Sequence, residues 1–452
     1  MIIEKRPFRL TLLMLFLSLL ACKITPAPKV VGYYTAWQRG IFPAEKVAFK
    51  HLTHIAHAFI WPKADGSLAM YDNFIYPQLV ARTHQAGKKI IVSIGGWGNC
   101  DGFPPMAANA SARARFVENV KNFCLNNGYD GADIDWEFPQ SEADRINLNR
   151  LMQELRTAFD AAQPNMLLTM AVPVSDWSGK WFDFASLKNY TDWIGGMTYD
   201  FHGSWTNHAG HNSPLFAPAN EPEGSVDRGI QYLLSRGLPP EKIFLGIPFY
   251  GKEFTASQLY GLSTGCVDRR YSEIIPLIAA GWTYHWDNLS QVPYLTNPNR
   301  TKVLSFDDTV SVRLKCEYVR LKKLGGVIIW ELSQDDMGNS QPLLETIGSV
   351  LQVDTSAGQP EVELPNSFVL AQNYPNPFNS RTTIRYYVPQ AANIRLEVLN
   401  LLGERVAILA DEPQEQGWQE MTFEAKDLPS GIYVYQLTAP SFLKADKMVL
   451  VR

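Results

Sequence analysis

The chain has no surplus of positive charge, few cysteines, and no spacing of them that suits a metal. Across 452 residues, 41 lysines and arginines stand against 45 aspartates and glutamates, a net charge of −4. A nucleic-acid backbone calls for a basic face, so no nucleic-acid partner is expected. Of the five cysteines, Cys100, Cys124, Cys266 and Cys316 are widely and irregularly spaced, without the paired CxxC of a zinc site. Neither a metal nor a cofactor is expected. With 46% hydrophobic and 19% charged residues the chain is not disordered or fibrous. Its length suggests more than one domain.

The N-terminus also lacks a membrane-crossing span. Lys5, Arg6 and Arg9 precede an apolar run from Leu10 to Leu20, shorter than the ~20 residues needed to cross a bilayer core. Residues 1–21 therefore read as a secretory signal. Leu19-Leu20-Ala21-Cys22 resembles a bacterial lipoprotein box, so lipidation at Cys22 is an alternative. Export permits disulfides among the other four cysteines, in any of three pairings.

From residue 28 to 352, short apolar runs alternate with stretches of helical period, the pattern of a parallel α/β architecture. Eight strands are predicted: VVGYYTAW from Val30, HIAHAFI from His54, KIIVSIGG from Lys89, ADIDWEF from Ala132, LLTMAVP from Leu167, WIGGMTYDF from Trp193, KIFLGIPFY from Lys242 and GGVIIWEL from Gly325. Helices are predicted at Asn109 to Asn126, Glu142 to Ala162 and Asp308 to Lys323, the first capped by Asn109 and Ser111 and closed near Gly128. Eight βα units make a (β/α)8 TIM barrel. Residues 252–295 are too long for one connection and read as an elaborated loop after the seventh strand. A polar linker, 353–367, leads to 368–452, where TTIRYYV, IRLEVLN, RVAILA, QEMTFEA and GIYVYQLTA alternate at period two, as in a small antiparallel β-sandwich.

The chemistry concentrates between Asp130 and Glu137. Residues two apart on a strand share a face, so Asp133, Asp135 and Glu137 point one way and Ile134, Trp136 and Phe138 the other. Burying an ionised carboxylate costs several kcal/mol or shifts its pKa. Three neighbouring acids share protons, and the outermost, Glu137, is placed to act as a general acid. The bland alternatives are a calcium loop or a salt-bridged structural cluster. The spacing fails the EF-hand pattern, and Glu137 falls at a strand C-terminal end, where this fold keeps its catalytic groups. Trp97, Tyr199, Asp200, Tyr250 and Trp330 fall on the same barrel face. Aromatic platforms with a few acids suit sugar rings, whose C–H faces pack on aromatics.

DGADIDWE from Asp130, SIGG from Ser93 and MTYDFHGSW from Met197 resemble the signatures of family 18 glycoside hydrolases, the chitinases. YYTAW from Tyr33, AVP from Ala171, GHNSPL from Gly210, GIPFYGK from Gly246 and WDNLSQVPYL from Trp286 extend the resemblance along the barrel. It implies cleavage of chitin or N-acetylglucosamine oligosaccharides with retention, the substrate's own acetamido group serving as nucleophile. On that pattern Glu137 is the acid and base, Asp135 orients the acetamido group, Asp133 holds Asp135, and Tyr199 donates to the acetamido oxygen. Asp200 positions the sugar, Trp330 forms the floor, and Tyr33, Phe59, Trp97, Met197 and Tyr250 line the cleft. Lys252 replaces an arginine common in the family, leaving a point charge. The 252–295 segment is shorter than the insertion found in many relatives, which implies a shallow, open cleft and endo-acting rather than processive cleavage. Endo-β-N-acetylglucosaminidase action on N-glycans, a chitin-binding lectin, and a two-carboxylate glycosidase using Glu137 with Asp200 are the alternatives.

The last eighty-five or so residues, with NYPNPFN from Asn373, LGERV from Leu402, LPSGIYVYQL from Leu428 and KMVLVR at the end, resemble sorting domains of the Bacteroidota type IX secretion system. That implies passage to the cell surface or beyond through the secretion machinery. The alternative is a carbohydrate-binding module using Tyr387, Trp418, Tyr433 and Tyr435.

Overall fold

The computed structural model describes residues 27–218, 221–351, 368–373, 376–426, 428–440 and 442–451. The secretory signal, Cys22 and the linker expected at 353–367 lie outside the described residues.

The expected barrel is present. Its strands are β1 (Lys29–Thr35), β2 (His54–Pro62), β3 (Lys89–Gly95), β4 (Gly131–Asp135), β5 (Leu167–Val172), β6 (Trp193–Gly196), β7 (Ile243–Pro248) and β8 (Gly326–Trp330). Each pairs in parallel with the next, and β1 pairs with both β2 and β8, which closes the sheet. The strands are near-continuous apolar runs because both faces are covered. Val31, Tyr33, Ala56, Ala58, Ile91, Trp193, Phe244 and Ile328 fill the lumen. Trp193 stacks on Phe244 at 5.0 Å. The outward face packs a larger apolar layer against the helices.

Helix Glu142–Ala162 shows why these segments fold where they do. Ser141 Oγ accepts the Asp144 N–H at 3.1 Å and caps its first turn. Leu148, Leu151, Met152, Leu155 and Phe159 recur at helical spacing and are fully buried, each contributing about 1.5–3 kcal/mol. Helix Ala110–Asn127 starts at Asn109, whose Oδ1 accepts from Ser111 and Ala112, and stops at Gly128 with φ 73°.

Three expectations need correction. The first connection has no α-helix: β1 leads into three 3-10 turns, Ala36–Gln38, Ala44–Lys46 and Phe49–His51, in a stretch broken by Gly40 and Pro43. The segment after β7 is a folded α+β unit, not an elaborated loop. Tyr250–Phe254, Cys266–Arg270, Thr283–Asp287, Val292–Thr296 and Val303–Ser305 form a five-stranded antiparallel sheet, with helix Tyr271–Ala279 beside it. Its strands are short, Cys266–Arg270 and Thr283–Asp287 are exposed or half-buried throughout, and prolines at 276 and 293 fall inside its helix and a strand, so its periodicity is weak. Cys100, Cys124, Cys266 and Cys316 are all free thiols rather than disulfide partners.

The described residues from 368 to 451 form a sandwich of two antiparallel sheets. One orders Val369–Leu370, Arg381–Val388 and Gly417–Glu424; the other orders Arg405–Gln414, Ala392–Leu399, Gly431–Ala439 and Phe442–Leu450. Tyr387, Tyr433 and Tyr435 are buried in it, which removes them as a sugar platform. The Trp418 side chain lies outside the described residues.

Candidate active site

At the C-terminal end of the barrel, β4 turns Asp133 and Asp135 into the lumen while Ile134 and Trp136 pack outward. Trp136 stacks on Phe103 at 5.0 Å. Asp133 accepts three hydroxyls: Tyr33 and Ser93 at 2.7 and 2.8 Å on Oδ2, and Thr169 at 2.6 Å on Oδ1. Burial raises its pKa, and those hydroxyls pull it back by favouring the ionised form. Asp135, one step outward, has no such donors. Its Oδ1 is buried without a hydrogen-bond partner among the described residues. Burial, then the charges of Glu137 and Asp133, push its pKa well up.

Glu137 stands beyond the end of β4 and is half-buried. Burial and then the charge of Asp200 push its carboxyl up to about 7, against the backbone N–H of Trp97, which favours ionisation. A carboxyl poised there can both give and take a proton near neutrality. Its own N–H donates to Cys100 Sγ at 3.1 Å. The SIGG turn makes this approach possible. Gly96 N–H donates to the Asp135 carbonyl at 2.8 Å. A Cβ on Gly95 (φ 115°) would sit 2.1 Å from that carbonyl oxygen, and one on Gly96 (φ 80°) 2.4 Å from the Phe59 ring. Only glycine fits both places.

β6 ends at Gly196, earlier than expected, so Met197, Tyr199 and Asp200 stand on the loop behind it. Tyr199 is held well above the ordinary tyrosine range by burial, then by the charges of Asp135, Glu137, Asp200 and Asp133. Its hydroxyl therefore stays a proton donor to any acceptor in the cleft. Asp200 Oδ1 accepts from Tyr250 at 2.7 Å and Lys252 at 2.9 Å, and Asn212 Oδ1 holds its N–H at 3.1 Å. Lys252 reaches Asp268 as well, at 2.8 Å, so a single point charge bridges two carboxylates. His211 extends this brace into the α+β unit, bonding Ser305 Oγ and Asp287, each at 3.0 Å.

The aromatic residues form a continuous lining. Trp330 meets Phe59 at 5.5 Å in a stacked geometry and Tyr33 at 5.6 Å edge-on. Trp37 joins them, 6.0 Å from Phe59 and 6.4 Å from Trp330, and leads to Tyr71. Trp97 is 76% exposed and Trp205 61% exposed, the latter with Lys252 Nζ 5.3 Å from its ring. The Ala58–Phe59, Glu137–Phe138 and Trp330–Glu331 peptide bonds are cis.

The structure thus gathers Asp133, Asp135, Glu137, Tyr199, Asp200, Tyr33, Phe59, Tyr250 and Trp330 into one connected set, with Met197 half-buried on the loop after β6 and Trp97 on the rim. Sequence reasoning left out Trp37, Trp205, Ser93 and Thr169. Ser93 and Thr169 had a usable signal, being polar residues inside otherwise apolar strands beside an acid.

The chain resembles known proteins over both its barrel and its C-terminal sandwich. Residues 29–335 match the model for glycosyl hydrolases family 18, and residues 372–451 match the secretion system C-terminal sorting domain. Chitinase 1 of Aphanocladium album is 28% identical over 374 residues, covering 74% of this chain and 88% of its own. The crystal structure of the Ostrinia furnacalis Group IV chitinase in complex with allosamidin superposes with a TM-score of 0.68 at 31% identity, covering 72% of this chain and 99% of that one. Human YKL-39, described as a pseudo-chitinase with retained chitooligosaccharide binding, has the same TM-score at 26% identity and covers 72% of this chain and 100% of its own. An acid-lined barrel mouth, an aromatic floor and a match across most of the barrel together place the chain: it belongs to family 18 of the glycosyl hydrolases.

Proposed function

We propose that the chain is an endo-acting chitinase that hydrolyses β-1,4 links between N-acetylglucosamine units with retention, using the substrate's acetamido group as nucleophile. The observation that carries this reading is Asp135 Oδ1, a buried acceptor with no partner among the described residues, beside a carboxyl poised near 7. A buried acceptor left unpaired costs about 1–3 kcal/mol. An acetamido N–H arriving at that oxygen would remove the penalty.

The steps follow from the positions. Glu137 gives its proton to the glycosidic oxygen, and that C–O bond breaks as the acetamido carbonyl oxygen attacks C1. Asp135 accepts the N–H, a bond that favours its ionised form, and as a carboxylate balances the positive charge of the resulting oxazolinium ring, with Asp133 behind it. Tyr199 donates to the acetamido oxygen. Glu137, now ionised, takes a proton from water as the water attacks C1 and reopens the ring. Two inversions at C1 give net retention. Trp330 and Phe59 supply the floor, with Tyr33 edge-on beside them. Asp200 is engaged by Tyr250 and Lys252, which argues against its serving as a second-carboxylate nucleophile.

Wild-type and Glu137→Gln protein should be compared on chitohexaose, following product anomers by NMR. The expected result is β-anomer first from wild type and a loss of at least 100-fold in the variant. Unchanged turnover in the variant, or cleavage of a substrate lacking the 2-acetamido group, would sink the mechanism; dimers alone from crystalline chitin would sink the endo mode. Binding without turnover in wild type would favour the lectin reading, which the pseudo-chitinase relative makes worth testing. The sorting-domain match supports export to the cell surface or medium.

A further inference from the structure

Away from the acid ladder, the loop that leaves β6 gathers a second polar cluster. His202 and His208 lie on this loop, and Glu221 follows before helix Val226–Ser235. His202 Nε2 stands 3.2 Å from His208 Nε2 and 3.3 Å from Glu221 Oε1, and His208 Nε2 stands 3.6 Å from Glu221 Oε2. His202 is fully buried, Glu221 is buried, and the His208 side chain is 21% exposed.

The outer ring nitrogens decide what these atoms can do. His202 Nδ1 lies 2.9 Å from the His211 carbonyl oxygen, which only accepts, so Nδ1 carries the hydrogen and, in the neutral imidazole, Nε2 presents a lone pair. His208 Nδ1 lies 3.0 Å from Asn207 Oδ1, with the same consequence. Two neutral-ring nitrogens and a carboxylate therefore converge at distances that a cation between them would satisfy. A metal-bound histidine characteristically donates its other N–H to a carbonyl in this way.

The spacing fits one class of ion. Zinc takes nitrogen at 2.0–2.1 Å and carboxylate oxygen at 2.0–2.2 Å in a tetrahedron, whose donors lie ~3.3 Å apart. Calcium and magnesium prefer all-oxygen shells. The chain also leaves room for the ring: a Cβ on Gly210 would fall 2.2 Å from His202 Cδ2 and 2.3 Å from Nε2.

We propose that His202, His208 and Glu221 form a zinc-binding site, with a fourth position open to water on the exposed side of His208. This departs from the expectation of no metal. The ligands lie 6 and 13 residues apart along the chain and follow no short metal motif. The ion would clasp the loop that carries Asp200 at one end and holds His211 and Asn212 against the α+β unit. It would act as a structural brace, not as part of the proton chemistry at Glu137.

The test uses the exported chain without a histidine tag, stripped with EDTA and titrated with Zn(II) against a chromophoric chelator at pH 7.5. One equivalent should bind with a micromolar or tighter Kd and raise Tm, while Ca(II) and Mg(II) do neither. Co(II) should give the intense visible bands of four-coordinate geometry. His208→Ala and Glu221→Gln should each weaken Zn(II) binding at least 100-fold, with circular dichroism reporting whether each is folded. No stoichiometric binding by wild type overturns the proposal, and wild-type measurement alone suffices for that. Undiminished binding in both variants overturns it too, by placing the ion elsewhere, such as at Cys266.

Discussion

Replacing Glu137 with glutamine should stabilise the folded chain at pH 8 while removing turnover. Burial and the charge of Asp200 raise this carboxyl from 4.5 to about 7. Above pH 7 it is ionised in both the folded and the unfolded chain, and only the folded chain bears the desolvation and repulsion. At 1.36 kcal/mol per pKa unit, the shift corresponds to about 3 kcal/mol. Below about pH 4.5 both states hold the proton and the penalty disappears. The stability tied to this group is therefore full at low pH and is lost as pH rises through about 7.

Glutamine is neutral throughout and keeps an oxygen for the Trp97 N–H. Relief of Asp135, raised by burial and then by Glu137, acts in the same direction. The variant should gain about 2–3 kcal/mol over wild type at pH 8 and almost nothing at pH 4.5. For a domain this large, that is roughly 5 °C in Tm. Unfolding of both proteins in urea and by heat, from pH 4.5 to 8, measures the difference. A gain that ignores pH, or a loss at pH 8, would refute the reasoning.

Asp200→Asn should lower the alkaline limb of kcat/KM by about 0.5–1 pH unit, because a like charge facing Glu137 is gone. Lys252→Met should move it the other way, since Asp200 then faces Glu137 without its 2.9 Å counter-charge; shifts of the same sign in a pH–rate profile would contradict the electrostatic account. Trp97→Ala should raise KM for chitohexaose several-fold yet change stability by less than about 0.5 kcal/mol, as the ring is largely exposed; chemical denaturation beside steady-state kinetics separates the two. Asp307→Asn should cost about 3–5 kcal/mol by leaving the buried Lys315 ammonium, now 2.6 Å from its carboxylate, without a counter-charge. Adding Lys315→Met should recover most of that loss in the same denaturation assay.

The barrel was legible because strands covered on both faces must be largely apolar, and the eight barrel strands are near-continuous apolar runs with few polar residues. The acid run stood out for the opposite reason, since Asp133 and Asp135 interrupt such a strand. The α+β unit was not legible. Its strands are five residues or fewer and paired across distances that local pattern does not encode, as with Tyr250–Phe254 against Val303–Ser305. The site's supporting contacts were hidden for a related reason. Asp200 meets Lys252 from 52 positions away, and Asp133 takes its hydroxyls from β1, β3 and β5. Export alone allowed disulfides, but a thiol such as Cys100, buried against the Gly96 and Asp135 carbonyls, is spent on local packing.

Tyr33 holds Asp133 through its hydroxyl and edges against Trp330 through its ring. One side chain thus belongs to both the acid ladder and the aromatic floor, and a change there disturbs both at once. The exposed tryptophans at positions 97 and 205 have no such double membership. On the proposed function, substrate range would drift at these two exposed tryptophans through single substitutions, whereas Asp133 and Trp330 are tied together through Tyr33. A library aimed at new chain-length preference should therefore vary Trp97 and Trp205 and keep Tyr33 constant.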